Sequence, residues 1–460
     1  MITSAAMSYR DLLVRVFGES RIAEDEQFEG FSTRPPEIEL QSRWFAGDFG
    51  RRFTALSGQE VEIVQFGVWN HAAGPDFCEV VIDVAGRQLR GALEIDMDAR
   101  DWERHGHALN PAYDNVVLHM FFDAPQGQRF FTRTSQHAEV TQVRLDLAAL
   151  GAEPLRKEQA EARWGRCSFP LRELSADRLH SLLEAAARHR IGQKAKRLAR
   201  VAGIHGWDQA IYQELAGALG YRRNQLPMTV MAQRLPLKFL TSHKAGAEAL
   251  LFGVAGFLEA RVYEGAAADT RDYLRRLWEM WWKHRDEFAG ASPPQLIAGG
   301  SRPLNHPQRR IGALAVIVTQ WRRIRQALEG GERALMDALR NVRHPYWEHH
   351  YTLTSQPNPR PMALIGESRI LDILANIGFP IWSRTTDDWW AAYARLPASL
   401  DNEKSRRGGI RLLGQRADAG LFTRKLFQHQ ALIQIYQDFC LQDNSDCAKC
   451  LFPEQLVQWT

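Results

Sequence analysis

Phe77–Val84 (FCEVVIDV) and Leu89–Met97 (LRGALEIDM), joined through Ala85-Gly86-Arg87, decide the fold of this chain. Both runs are rich in Val, Ile, Leu and Phe, and a glycine-containing turn separates them, so the stretch reads as a β-hairpin. Upstream, Val61–Phe66 is a short run of β type. Before it, residues 37–50 follow a Pro-Pro stop and space Leu40, Trp44 and Phe45 on one helical face, which predicts a first helix. Downstream, Asp101–His107 makes at most a short polar helical turn, and Asn115–Phe122 (NVVLHMFF) reads as another strand. Phe130–Arg133 and Glu139–Leu145 add two more. Helix, strand, hairpin, short helix and strand define an α/β module over residues 1–150.

After about Ala148 the sequence turns to Ala, Leu and Arg with helical periodicity. Helices are predicted at Ala176–Val201, Trp207–Leu219, Leu235–Glu259, Thr270–Ala289, Arg309–Glu329, Glu332–Arg340, Glu367–Ile377 and Leu421–Cys440, with Pro and Gly between them. The fold class expected is α+β: a small mixed sheet with flanking helices, then a mostly helical region. That region divides into a basic part, 151–345, and a C-terminal part with a Cys-rich tail, 346–460. A chain of 460 residues suits two or three such units.

The hairpin also carries chemistry. Asp76 stands at the start of its first strand, and Glu94 and Asp96 lie near the end of the second, two residues apart and so on one face. Adjacent carboxylates are costly unless a proton or a divalent cation lies between them, so the pair is a seat for Mg²⁺ or Mn²⁺. The alternative is a turn Asp and a solvated Glu. His105, His107 and His119 follow closely, as further ligands or a general base for this site, or as hydrogen-bonded structural residues. The metal set expected from spacing is Asp76, Glu94 and His119.

Pro75-Asp76 and Glu94-Ile95-Asp96 resemble two elements of the nuclease superfamily named for its Pro-Asp…(Asp/Glu)-x-Lys motif. In that superfamily a helix, often with an acidic residue, precedes a hairpin carrying Asp and then Glu-x-Lys, followed by a helix and a further strand. The resemblance implies a restriction-endonuclease-like core over about residues 37–122, with Glu37 or Glu39 as the acidic residue of the leading helix. Asp96 stands where the motif has Lys, so Arg90 or His105 would have to supply its function.

Cys440, Cys447 and Cys450 form a C-x6-C-x2-C tail, whose last two residues have metal-knuckle spacing. Cys167 or His429 would complete four ligands, for Zn²⁺ or, with Cys167, an iron–sulfur cluster; inert thiols are the alternative. Some nucleases of that superfamily are similar in pairing one distant cysteine with three clustered ones, although there the distant one precedes the core. Cys78, on a strand, reads as packed core.

Arg188, Arg190, Lys194, Lys196, Arg197 and Arg200 crowd one helical stretch, and residues 161–200 hold ten Lys or Arg against four Asp or Glu. Such a helix either tracks phosphates or pairs within the fold. In SRPLNHPQRR, Arg302, Asn305, Arg309 and Arg310 offer donors near a helix start, suited to phosphate or to a capped helix with surface arginines. Arg190, Lys194, Arg197, Arg302, Asn305 and Arg310 are therefore the candidate phosphate contacts. The tryptophan pairs Trp281-Trp282 and Trp389-Trp390 read as packing rather than base stacking.

Taken together, ELQSRWF, N-x3-GPDF, LEID, DW-x2-HGH, AYDNVVLH, SRPLNHPQRRIGALA and the Cys-rich tail resemble a bacterial family of unknown function, family 2851. The resemblance covers nearly the whole chain, implies no activity, implies that Cys167 belongs with the tail cysteines, and leads us to expect His in relatives at the position of Asp96.

Composition bounds these readings. At 45% hydrophobic and 24% charged the chain is globular. Charges at Arg10, Asp11 and Arg15 interrupt the N-terminus, so no signal peptide is expected; the apolar run Ile311–Val318 is too short for a bilayer; and five unevenly spaced cysteines are not a secreted framework. The expectation is a cytoplasmic protein without membrane contact. A net charge of +4 is compatible with many partners. The functional expectation is a metal-dependent nuclease. Its alternatives are a non-catalytic nucleic-acid- or protein-binding scaffold with a structural metal, and a metal-dependent hydrolase of a small molecule.

Overall fold

The computed structural model describes residues 7–18, 31–32, 37–70, 74–123, 131–145, 152–153, 164–288, 293–298, 302–398, 403–440 and 450–459. The architecture is α+β: a mixed sheet with flanking helices, followed by a helical region. The strands are β1 (Phe31–Ser32), β2 (Arg52–Thr54), β3 (Glu60–Gln65), β4 (Val68–Trp69), β5 (Phe77–Val84), β6 (Arg87–Asp98), β7 (Val116–Asp123), β8 (Thr141–Arg144) and β9 (Ala152–Glu153). Among the described residues the main sheet runs β2-β3-β5-β6-β7-β8, with β4 also on β5, while β1 and β9 make a separate short parallel pair.

The β5–β6 hairpin closes on a two-residue turn with Val84 opposite Arg87. Ala85 (φ 51°) and Gly86 (φ 88°) both take positive φ, as the twist of a tight antiparallel hairpin requires. β3, β5 and β6 run antiparallel, whereas β7 is parallel to β6 and β8 to β7. The parallel step needs a crossover, built here from the short helix Asp101–Arg104 and the 3-10 turns His107–Leu109 and Pro111–Tyr113. Gly91 is required where β6 meets this crossover, because a Cβ there would sit 2.1 Å from the Asn115 carbonyl oxygen.

Alternation sorts the two sheet faces. Leu93 and Ile95 of β6, with Leu118 and Met120 of β7, join Leu40, Trp44, Phe45, Phe77 and Ile82 in one core. The helix Glu37–Phe45 covers this face, and the fully buried Trp44 donates its indole N–H to the Phe66 carbonyl at 2.9 Å. On the opposite face stand Glu94, Asp96 and His119, beside a smaller cluster of Ala92, Trp102, Tyr113, Val116 and Val140. Of the further strands expected at 130–133 and 139–145, residue 130 lies outside the described residues, and among those described only Thr141–Arg144 forms a ladder, while Arg133 and Glu139 make an isolated bridge.

The helical region shares one continuous core from Cys167 to Trp459. The boundary expected at residue 345 falls inside it, since Leu339, Trp347 and Leu353 pack together there, and the N-terminal helix Tyr9–Phe17 joins this core rather than the sheet. The helix expected over Trp207–Leu219 ends at a break where Tyr221 takes a non-helical φ of 56°, and a second helical stretch follows directly to Arg234. The predicted helix 235–259 is broken into Leu237–Ser242 and Ala247–Val254.

The two halves are locked together. Phe45 stacks on His205 at 3.8 Å, Gln233 donates to the Ser42 carbonyl at 3.1 Å, Arg200 pairs with Asp48 at 2.5 Å, and Val230 enters the core under the sheet. Among the described residues, no helix is long and apolar enough to cross a membrane.

Candidate metal centre

The site is built at the end of the sheet where β5 begins and β6 finishes. A bulge between Phe77 and Val80, with Glu79 at φ 58°, bends the start of β5 and sets Phe77 opposite Leu93. Asp76 is thereby pinned against β6: its backbone N–H donates to Glu94 Oε2 at 3.0 Å, and its Oδ2 accepts the Ile95 N–H at 3.0 Å. The leading helix adds Gln41, whose amide donates to Asp76 Oδ1 at 2.6 Å and to Glu37 Oε1 at 2.8 Å.

Glu94 lies opposite His119 in the parallel register, and Asp96 follows on the same face. His119 is fully buried between two partners: Nε2 lies 3.1 Å from Asp96 Oδ2, and Nδ1 lies 2.6 Å from the Thr132 hydroxyl. Gln142 donates its amide to the same hydroxyl at 2.8 Å. With that amide as donor, the Thr132 proton points to Nδ1 and the imidazole proton rests on Nε2, donated to Asp96. His119 thus orients Asp96 instead of facing a ligand of its own.

The crossover supplies the other histidines. His107 stacks on Tyr113 at 4.0 Å and meets Trp102 edge-on at 5.4 Å, which fixes its ring. Only 6% exposed, its Nδ1 has no hydrogen-bond partner among the described residues and lies 3.5 Å from Glu94 Oε1. His105 is far more open, with Nδ1 3.5 Å from Asp96 Oδ1.

Glu94, Asp96 and His107 each offer a ligand atom, all within 4.8 Å of one another and all buried. The grouping differs from the trio expected from spacing. Strand alternation brings Glu94 and Asp96 together, whereas both His119 nitrogens and both Asp76 carboxylate oxygens already have partners.

Electrostatics point the same way. Burial, reinforced by the charges of Glu37 and Asp96, pushes the Asp76 carboxyl well above the ordinary carboxylate range. Burial, then Asp76 and Asp96, does the same to Glu94. Glu37, at the exposed mouth, is raised by desolvation and by Asp96. Burial lowers His107, against the pull of Asp96, and so favours the neutral imidazole that a metal requires. An orphaned buried imidazole nitrogen facing paired carboxylates fits Mn²⁺, Zn²⁺ or Fe²⁺ better than an all-oxygen Mg²⁺ site.

All six candidate catalytic residues therefore meet: Asp76, Glu94, Asp96, His105, His107 and His119. Spacing did not reveal Gln41, Thr132, Gln142, Trp102 or Tyr113. Gln41 alone carried a signal, one helical turn after Glu37.

The candidate phosphate contacts do not gather. Arg190 bonds Gln430, Gln434 and Gln437; Lys194 bonds Asn376 and Gln430; Arg197 pairs with Glu214 at 2.7 Å. Arg310 is 3% exposed and gives its donors to the carbonyls of Leu364 and Leu304 and to Asn305 Oδ1. Arg309 likewise binds the carbonyls of Trp347, Met362 and Ala363, while Arg302 is exposed. These side chains stitch the helical core together.

The cysteine segments do converge. Arg166, beside buried Cys167, donates to the Cys450 carbonyl at 3.4 Å and pairs with Glu454 at 2.5 Å; Phe439, beside Cys440, stacks on Phe452 at 4.1 Å. Cys447 lies outside the described residues. His429 donates its Nε2–H to the Thr423 carbonyl at 2.9 Å. Cys78 is half-buried, and burial pushes its thiol up.

No curated protein and no solved structure matches the chain. A family pattern does match, over residues 38–394, which takes in Asp76, Glu94, Asp96, the three histidines and most of the helical core. The chain therefore belongs to the family described as "Protein of unknown function (DUF2851)".

Proposed function

We propose that this protein is a metal-dependent phosphodiesterase acting on nucleic acid. The observation that carries the reading is the convergence, beside Asp76 at one end of β5 and β6, of Glu94, Asp96 and a His107 Nδ1 without a hydrogen-bond partner among the described residues. The order of elements adds support: leading helix, antiparallel strands, short helical crossover and a parallel strand is the arrangement that the nuclease resemblance implied.

Glu94, Asp96 and His107 would hold the cation, and His119 with Thr132 and Gln142 keeps Asp96 turned toward it. A divalent cation there supplies Lewis acidity and lowers the cost of deprotonating water. Asp76 is half-buried and His105 exposed, so they face the side open to a substrate. There Asp76 orients a water and His105 accepts or returns a proton.

The test is protein purified without chelator, its metal content measured, then incubated with labelled single- and double-stranded DNA and RNA in Mg²⁺ or Mn²⁺. Cleavage by the wild type that disappears in Glu94→Gln and Asp76→Asn is expected. Stoichiometric metal with no cleavage of any of the four substrates would sink the reading. It would favour the second one, a non-catalytic binding scaffold, for which the specific observation is Asp96, an acid locked by His119 where a nuclease lysine would stand.

A further inference from the structure

We propose that Arg234, carried by the helical half, is the cation of the acidic site and takes the place of the absent motif lysine. The inference rests on the phosphodiesterase reading and adds that the active site is completed across the two halves of the chain.

The site needs a positive group. Glu37, Asp76, Glu94 and Asp96 share one small volume, and a phosphodiester would bring more negative charge. Of the substitutes the sequence offers, Arg90 is exposed and lies four residues back along β6 from Glu94, about 13 Å away at strand spacing. His105 is exposed, with its Nδ1 3.5 Å from Asp96 Oδ1.

Arg234 ends the helical run Trp207–Arg234, where its own contact and that of its neighbour Gln233 both lead toward Asp76. Its guanidinium sits 5.2 Å from the centre of the Trp69 ring, on β4, which pairs with Phe77. The next residue, Asn70, donates its backbone N–H to the Asp76 carbonyl at 2.9 Å and its side-chain amide to the Pro75 carbonyl at 2.8 Å. On the other side, Gln233 donates to the Ser42 carbonyl, and Ser42 follows Gln41, whose amide holds Asp76 Oδ1. The Arg234 guanidinium is partly desolvated, which lowers its pKa, and the charge of Asp76 works against that lowering. A guanidinium this close to an indole ring gains a cation–π attraction, which favours holding its charge in place before substrate arrives, the condition under which a charged group is most effective on a transition state.

The experiment compares wild type, Arg234→Gln and Arg234→Lys in two measurements: Mn²⁺ affinity by calorimetry, and kcat/KM on DNA with Mn²⁺ saturating. Arg234→Gln is expected to bind Mn²⁺ severalfold more tightly, because a like charge has been removed, and to lose about 100-fold or more in kcat/KM. Arg234→Lys should recover about tenfold of that loss, which a purely packing role would not give. Wild-type rates in Arg234→Gln overturn the inference and leave the phosphodiesterase reading standing. Weakened Mn²⁺ binding in Arg234→Gln also overturns it, since Arg234 would then be supporting the fold. If the wild type binds Mn²⁺ but cleaves nothing, the phosphodiesterase reading falls and the calorimetry decides: tighter binding in Arg234→Gln keeps Arg234 as the charge partner, and unchanged binding removes it. A wild type that binds no Mn²⁺ overturns both.

Discussion

His107 Nδ1 and Glu94 Oε1, both on buried side chains, lie 3.5 Å apart, and among the described residues the nitrogen has no hydrogen-bond partner. Two atoms sharing a cation through bonds of about 2.1 Å stand roughly 3.0–3.4 Å apart, so a small adjustment converts this unsatisfied contact into a shared ligand. Left without a cation, the pocket retains a desolvated imidazole nitrogen and a strained set of acids.

The first prediction concerns affinity. Glu94→Gln and His107→Ala should each weaken Mn²⁺ or Zn²⁺ binding by about 100-fold or more, because a neutral amide or a missing imidazole removes a ligand. Isothermal titration of chelator-stripped protein measures it. Affinity unchanged in both variants would place the metal elsewhere.

The second separates orienting from ligating. His119→Ala should weaken metal binding by about 10–100-fold, the usual loss for a group behind a ligand. His119→Gln can return a donor near Asp96 Oδ2 and should recover part of that loss. Equal affinity for wild type and His119→Ala would rule out the orienting role.

The third follows from proton linkage. The folded state raises the carboxyls of Asp76 and Glu94, so without metal it binds more protons than the unfolded chain at pH values above about 4. This contribution to stability is present at low pH and is lost as pH rises through the raised values. Glu94→Gln mimics the protonated acid. In chelator it should melt near the wild type at pH 5 and above it at pH 8, and Mn²⁺ should reverse the order at pH 8. Thermal melts at the two pH values, with and without Mn²⁺, provide the check; a pH-independent difference between the two proteins would contradict it.

The fourth concerns Arg310, whose guanidinium is held at a lowered pKa of about 10 by burial and bonds the carbonyls of Leu304 and Leu364. Arg310→Met should cost about 2–5 kcal/mol in urea unfolding through unsatisfied carbonyls, whereas exposed Arg302→Ala should change stability by less than about 0.5 kcal/mol. Unaltered stability with lost nucleic-acid binding in Arg310→Met would return Arg310 to the role of a phosphate contact.

Periodicity in the sequence determined the elements closely where one face is apolar. The hairpin Phe77–Val84 with Arg87–Asp98, the helix starting at Glu37 and the strand Val116–Asp123 each announce themselves by apolar spacing and by a turn residue, because burial of a face imposes a period on any chain. Strand alternation by itself also puts Glu94 and Asp96 on one face.

Only tertiary structure decided which of the acidic and histidine residues form the ligand set. Which histidine faces the carboxylates depends on the crossover, where Tyr113 and Trp102 clamp His107, and on Thr132, thirteen residues beyond His119 in the chain, which occupies the other histidine. Basic residues showed the same limit: the charge of Arg190, Lys194 and Arg310 was plain, but apart from the local contacts of Arg310 with Leu304 and Asn305, the partners named for them lie 54 to 247 residues away. Arg234 gave no local signal at all, since its place beside Trp69 exists only once the two halves dock. Side-chain periodicity is a property of adjacent residues and can be read along the chain, whereas a hydrogen bond or ligand partner is a property of space, and here the chain must fold before the partners meet.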